Sequence, residues 1–163
     1  MQKKCFYFEH METPLIIISA KDIKAFLATD PIAKKARRSG WRVNIVTEGL
    51  AGRRFVDAGF TPDFLGTEDT GKIPFAFNAY QYLKSRLTDD TPAILAIGES
   101  NPSHLEQKLG IAAMKLNRIR KRKIMIVEIQ DFWGGAARLA RVKPHHILTI
   151  DAYAKKLALK TQR

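Results

Sequence analysis

The chain has 163 residues, one domain on the usual scale of roughly 100–200 residues, and it can bury about two-thirds of its unfolded surface without a disulfide or metal staple. Hydrophobic residues at 45% and charged residues at 27% exclude a disordered or fibrous chain. Lysine and arginine number 28 against 16 acids, a net charge of +12, and the single cysteine, Cys5, excludes an internal disulfide and any cysteine-based zinc site.

No run approaches the ~20 apolar residues of a membrane span. Residues 1–13 read as an extension ahead of one domain at 14–163. Within it, Cys5-Phe6-Tyr7-Phe8 is too short for a signal peptide and is followed by Glu9, His10 and Glu12, with Met11 as an alternative start. With one cysteine and no export signal, the expected location is the cytoplasm.

The first continuous apolar run, Leu15–Ser19, predicts a strand covered on both faces. Asp30-Pro31 then marks a helix start and Gly40 its end. Arg42–Thr47 predicts a second strand, about Ala51–Ala58 a helix, and Asp63–Leu65 a weak strand. Helical patterning returns over Pro74–Leu87, where Phe75, Phe77, Tyr80, Tyr82 and Leu83 make a face suited to core or interface. Strands at Ala93–Ile97 and Ile124–Ile129 flank a helix opened by a capping box, Ser103-His104-Leu105-Glu106. Leu105, Leu109, Ala112, Leu116 and Ile119 form its apolar stripe. A strand at His146–Ile150 and a helix over Ala152–Lys160 complete the chain. This alternation predicts an α/β fold: a single three-layer Rossmann-like domain with a doubly wound parallel sheet of five to six strands.

In such a sheet the element ends sort onto two edges. The basic runs Lys34, Lys35, Arg37, Arg38 and Arg118, Arg120, Lys121, Arg122, Lys123 fall on the N-terminal edge. They complement helix C-termini and also suit an anionic membrane surface or other polyanion. Aromatic residues are not interleaved with them, which counts against nucleic acid.

Acids gather at the other edge, where ligands of open α/β sheets bind: Glu48, Glu99, Glu128, Asp131 and Asp151. Asp151 reads as a helix cap, and Glu128 as a strand residue turned outward. An acid-rich rim suits hydroxyl-rich ligands such as sugars, whose O–H groups donate to carboxylates. No spacing marks a metal site. The expected ligand-binding set is Ser19, Lys21, Asp22, Glu48, Gly49, Gly98, Ser100, Asn101, Trp133 and Gly134, with Asp131, Glu99 and His104 as candidate catalytic bases. No cofactor is implied: Ser19-Ala20-Lys21-Asp22 stands where a glycine-rich dinucleotide turn would be, and neither a Walker A sequence nor a G-x-S-x-G elbow occurs. His145 and His146 are adjacent and point to opposite faces of a strand, so they read as structural.

Gly40 to Gly49, followed by Ala51-Gly52-Arg53-Arg54-Phe55 and Ala58-Gly59-Phe60, resembles the second strand and helix of the N-terminal domain in GT-B-type proteins. These include sugar-nucleotide glycosyltransferases and UDP-N-acetylglucosamine 2-epimerases. Ile97-Gly98-Glu99-Ser100 and Ile126–Trp133 are similar to a pattern in that group, a glycine-serine turn before a helix and a next strand ending in aspartate and tryptophan. The resemblance implies the acceptor-side half of a sugar-handling enzyme, with the donor nucleotide held mainly by a second domain. The implied partners are a donor-binding GT-B C-terminal-type polypeptide, a sugar or nucleotide-sugar ligand, and an anionic membrane surface on which the pair is peripheral. Three other readings stay open: a stand-alone small-molecule binding module without catalysis, a basic polyanion-binding protein, and a folded but inactive remnant.

Overall fold

Six parallel strands form one sheet in the order β3-β2-β1-β4-β5-β6. The elements are β1 (Leu15–Ser19), α1 (Ile23–Arg38), β2 (Arg42–Glu48), α2 (Gly49–Asp57), β3 (Phe64–Gly66), α3 (Ala79–Arg86), β4 (Ala93–Glu99), α4 (His104–Arg120), β5 (Ile124–Gln130) and β6 (His146–Thr149). The computed structural model describes residues 12–66, 78–87, 91–99, 104–120, 124–130 and 142–149. The expected helix at Ala152–Lys160, the residues Phe75 and Phe77, and the basic run Lys121–Lys123 lie outside them.

Alternation along the strands sorts the core into two layers. Leu15, Ile17, Leu95, Ile97, Ile124 and Ile126 pack with Leu83 of α3 and Leu105, Leu109 and Leu116 of α4. Ile16, Ile18, Ile45, Ala96, Val127 and Ile129 pack on the opposite face with Phe26 of α1 and Phe55 of α2. The rings of Phe26 and Phe55 meet edge to face at 4.9 Å. The sheet is therefore covered on both sides, the three-layer Rossmann-like arrangement expected from the alternation. Tyr80 and Tyr82 lie against the α3/α4 core layer, so the described part of that aromatic helix faces the core.

Two local expectations are corrected. Helix α1 starts eight residues before Asp30-Pro31: Asp22 is its cap, its carboxylate accepting from the Ala25 amide at 2.9 Å, and Pro31 lies inside the helix. Proline removes one amide donor and leaves the Leu27 carbonyl without its helical partner. Leu27 is 63% exposed and Pro31 is also exposed, so that carbonyl faces water and the helix continues. In α4 the apolar stripe ends at Leu116, because Ile119 is 59% exposed where the last turn runs past the sheet.

Close packing at two glycines sets how the layers meet. A Cβ at Gly98 of β4 would stand 2.9 Å from Thr29 Cγ2 and 3.0 Å from the Ala25 carbonyl, so α1 rests directly on that backbone. Gly49 has φ +64° and opens α2, and a Cβ there would meet the Lys21 carbonyl at 3.0 Å.

Candidate functional site

The strand order reverses direction between β1 and β4, since the chain moves outward through β2 and β3 and then returns to β4 on the other side of β1. At such a switch point the loops leave in opposite directions and open a crevice at the C-terminal edge of the sheet, where open α/β proteins bind ligands. Ser19 closes β1 and Glu99 closes β4 beside this crevice.

The loop after β1 is anchored by its backbone. The Ala20 carbonyl accepts from the Thr47 hydroxyl, and the Lys21 carbonyl accepts from the Ala51 amide at 3.3 Å. Asp22, expected to touch ligand, has one carboxylate oxygen committed to capping α1. Gly49 and Gly98, expected in the same set, each have a packing reason in the close approaches described above.

Four polar residues near this edge, Ser19, Glu106, Glu128 and Gln130, are buried. Ser19 is fully buried, and by alternation it shares the α3/α4 face with Leu15 and Ile17. Glu128 is also fully buried, which corrects the outward placement expected for it. The cause is coverage of that face: Glu128 stands two and four residues after Ile126 and Ile124, both in the α3/α4 layer, so parity puts it on the side over which α4 packs. Gln130, one further step along the same face, is 1% exposed, and its side-chain amide donates to the Glu128 carboxylate at 2.7 Å. Register joins the row, Ser19 to Ile97 and Ile97 to Glu128 across β1, β4 and β5, with Glu99 paired to Gln130 one row farther out. Glu106, in the first turn of α4 over the same sheet face, is 1% exposed, an acid placed where the helix dipole favours it.

Among the described residues, Ser19 Oγ, Glu128 Oε2 and Gln130 Oε1 are buried without a hydrogen-bond partner. Each can accept, and only the serine hydroxyl can also donate. Buried polar atoms are ordinarily satisfied, so such a set calls for donors from a bound molecule or water. Ligand O–H or N–H groups meet that requirement, whereas an ionised phosphate could accept only from the Ser19 hydroxyl.

Glu48 ends β2 on the same face and, although it precedes α2, its side chain makes no cap bond. Glu99 ends β4 and His104 opens α4, both at this edge. Ser100, Asn101, Asp131, Trp133, Gly134 and Asp151 lie outside the described residues. Sequence reasoning missed Gln130, and it read Glu106 as a capping partner. The available signal for Gln130 was its parity with Glu128 in a run otherwise apolar.

His145 is held without a ligand: its Nδ1 accepts from the Ile126 amide at 2.9 Å, and its own amide donates back to the Ile126 carbonyl at 2.8 Å. No group of three or more His, Cys, Asp and Glu side chains gathers to hold a metal among the described residues. Nor, among them, is any helix long and apolar enough to cross a membrane. Comparison of the chain with protein-family models, with curated proteins and with solved structures gives no match in any of the three.

Proposed function

We propose that the crevice between β1 and β4 binds a hydroxyl-rich small molecule, and that the chain is the acceptor-side half of a GT-B-type sugar-handling enzyme completed by a separate donor-binding polypeptide. The observation that carries this reading is the buried row of open acceptors, Ser19 Oγ, Glu128 Oε2 and Gln130 Oε1, at the ligand edge of the sheet. Sugar hydroxyls donate to such atoms, and the row distinguishes a carbohydrate from the phosphate ligands that many related sheets hold. The β1–α1 loop agrees with this, since it carries no glycine-rich turn. Transfer to an acceptor hydroxyl needs a base within hydrogen-bond reach, and Asp131, Glu99 and His104 are the residues proposed for it, in that order. Lys35, Arg38 and Arg42 are exposed on the opposite edge and favour seating the assembly on an anionic surface.

The test is a thermal-shift and calorimetric titration with N-acetylglucosamine, UDP-N-acetylglucosamine and UDP, alongside affinity purification from native cells at low salt. The reading expects stabilisation by the sugars, none by UDP alone, and recovery of a donor-binding polypeptide in equal amount. Glu128→Gln is expected to weaken sugar binding by about tenfold, roughly one charge-assisted hydrogen bond. A sugar response without a partner would convert the proposal to a stand-alone binding module. Neither response nor partner would end it.

A further inference from the structure

The open acceptors at the ligand edge are not alike. Glu128 Oε2 and Gln130 Oε1 belong to side chains two residues apart on one face of β5, joined by the 2.7 Å bond from the Gln130 amide to the Glu128 carboxylate. That bond engages one carboxylate oxygen and the amide nitrogen. The two remaining oxygens are therefore neighbours across it, and neither has a donor among the described residues. A hydroxyl carries one proton and satisfies one of them, whereas a primary ammonium carries three donors and satisfies both.

Charge points the same way. Glu128 is fully buried, and among the described residues no lysine, arginine or histidine pairs with it. Glu106 is buried in the first turn of α4 over the same face, and Glu99 ends the neighbouring strand in register with Gln130. A buried carboxylate is compensated when a bound molecule brings positive charge and N–H donors to it together. The chain as a whole carries +12 and repels cations at long range, so uptake of one here is a local property of these acids.

Ser19 sets the other end of the site. It lies two strands from Glu128 along the row through Ile97, roughly 10 Å at the spacing of neighbouring strands. One hexose ring with a hydrogen bond at either end covers about that distance. The Ser19 hydroxyl is fully buried and can both donate and accept, which suits a neutral sugar hydroxyl.

We propose that the ligand of this crevice is an amino sugar with a free primary amine, its ammonium held by Glu128 Oε2 and Gln130 Oε1 and a ring hydroxyl by Ser19. This rests on the hydroxyl-rich ligand proposed above and names its class.

The test is calorimetric titration of the full chain with glucosamine, N-acetylglucosamine and glucose at about pH 6, where an amine of ordinary basicity is protonated. Glucosamine is expected to bind about tenfold more tightly than the other two, the contribution of one charge-assisted contact. In Glu128→Gln the three sugars are expected to reach parity. The Gln130 side-chain amide resonances of the parent chain, assigned by triple-resonance experiments, are expected to move with glucosamine, a readout that does not depend on the variant folding. Equal affinity for glucosamine and glucose would overturn the amine and leave the hydroxyl-rich reading standing. A glucosamine preference that survives in folded Glu128→Gln, or that leaves the Gln130 resonances unmoved, would overturn it by placing the amine elsewhere. Displacement of glucosamine by magnesium chloride would overturn it in favour of a metal ion. Binding of none of the three sugars would end both.

Discussion

The side-chain amide of Gln130 donates to the carboxylate of Glu128 at 2.7 Å, inside the protein and on the sheet face covered by α4. The second oxygen of that carboxylate has no donor among the described residues. A buried acid held by one neutral donor adds little stability, because the same volume filled by leucine avoids desolvating a polar group.

Removing the donor alone therefore does more harm than removing both groups. Gln130→Leu is expected to destabilise the fold by about 1–3 kcal/mol, since it leaves a buried carboxylate without its partner. Glu128→Leu/Gln130→Leu is expected to match or exceed the parent stability while abolishing any sugar response. Urea denaturation of the two variants checks the order, and a double variant less stable than the single one would contradict it.

Asn117 clamps the end of α4 to the start of β5. Its amide donates to the Ile124 carbonyl at 2.9 Å and its carbonyl accepts from the Ile124 amide at 2.8 Å, closing the ends of both elements with one side chain. Asn117→Ala is expected to destabilise by about 2 kcal/mol, two ordinary hydrogen bonds. Hydrogen exchange at the Ile124 amide should rise with it.

Gly98 is the point where α1 touches the sheet. Gly98→Ala places a methyl 2.9 Å from Thr29 Cγ2 and 3.0 Å from the Ala25 carbonyl, and overpacking of this kind costs about 1–3 kcal/mol. Adding Thr29→Ser removes the methyl contact but not the carbonyl one, so it should recover part of the loss. Thermal melts of the single and double variants read this directly.

Tyr82 ties α3 to the start of β3. Its hydroxyl donates to Asp63 at 2.6 Å, and Asp63 also pairs with Arg86 at 3.3 Å and accepts from Asn44. Burial, and then the bond to Asp63, push the Tyr82 hydroxyl well above the ordinary tyrosine range. The folded chain thus keeps this proton after the unfolded chain has released it. The stabilisation is complete below the unfolded value, about pH 10, and is lost as pH rises beyond it. Denaturation between about pH 9 and 11 should show a steeper loss of stability for the parent than for Tyr82→Phe. Equal slopes would remove Tyr82 from the account.

Much of the architecture was legible because its signals are local. Leu15–Ile18 is an unbroken apolar run closed by Ser19, and Leu15–Ser19 forms the strand with the bounds read from the sequence. The start of α1 was misread because Asp30-Pro31 imitates a cap, while the stripe after the operative cap, Asp22, is built mainly of small residues (Ala25, Thr29, Ala33 and Ala36 around Phe26) and announces itself weakly. Ile119 continued the helical period but overran the sheet, a matter of where the layer ends rather than of periodicity. At the site, the placement of Glu48, Glu99 and Glu128 at the C-terminal ends of their strands was legible, yet the burial of Glu128 was not. Parity with Ile124 and Ile126 points Glu128 inward, and only the packing of α4 over that face turns the direction into burial.

The sequence by itself determined the strand–helix alternation, the parallel sheet that this implies, the missing phosphate-binding turn and the sorting of cations and acids onto opposite edges. These follow from periodicity, caps and the direction that every strand of a parallel sheet shares. The tertiary structure decided which polar groups are stripped of water and how closely α1 sits on Gly98. Those depend on residues far apart in the chain meeting across the sheet, and desolvation and fit have no local signature.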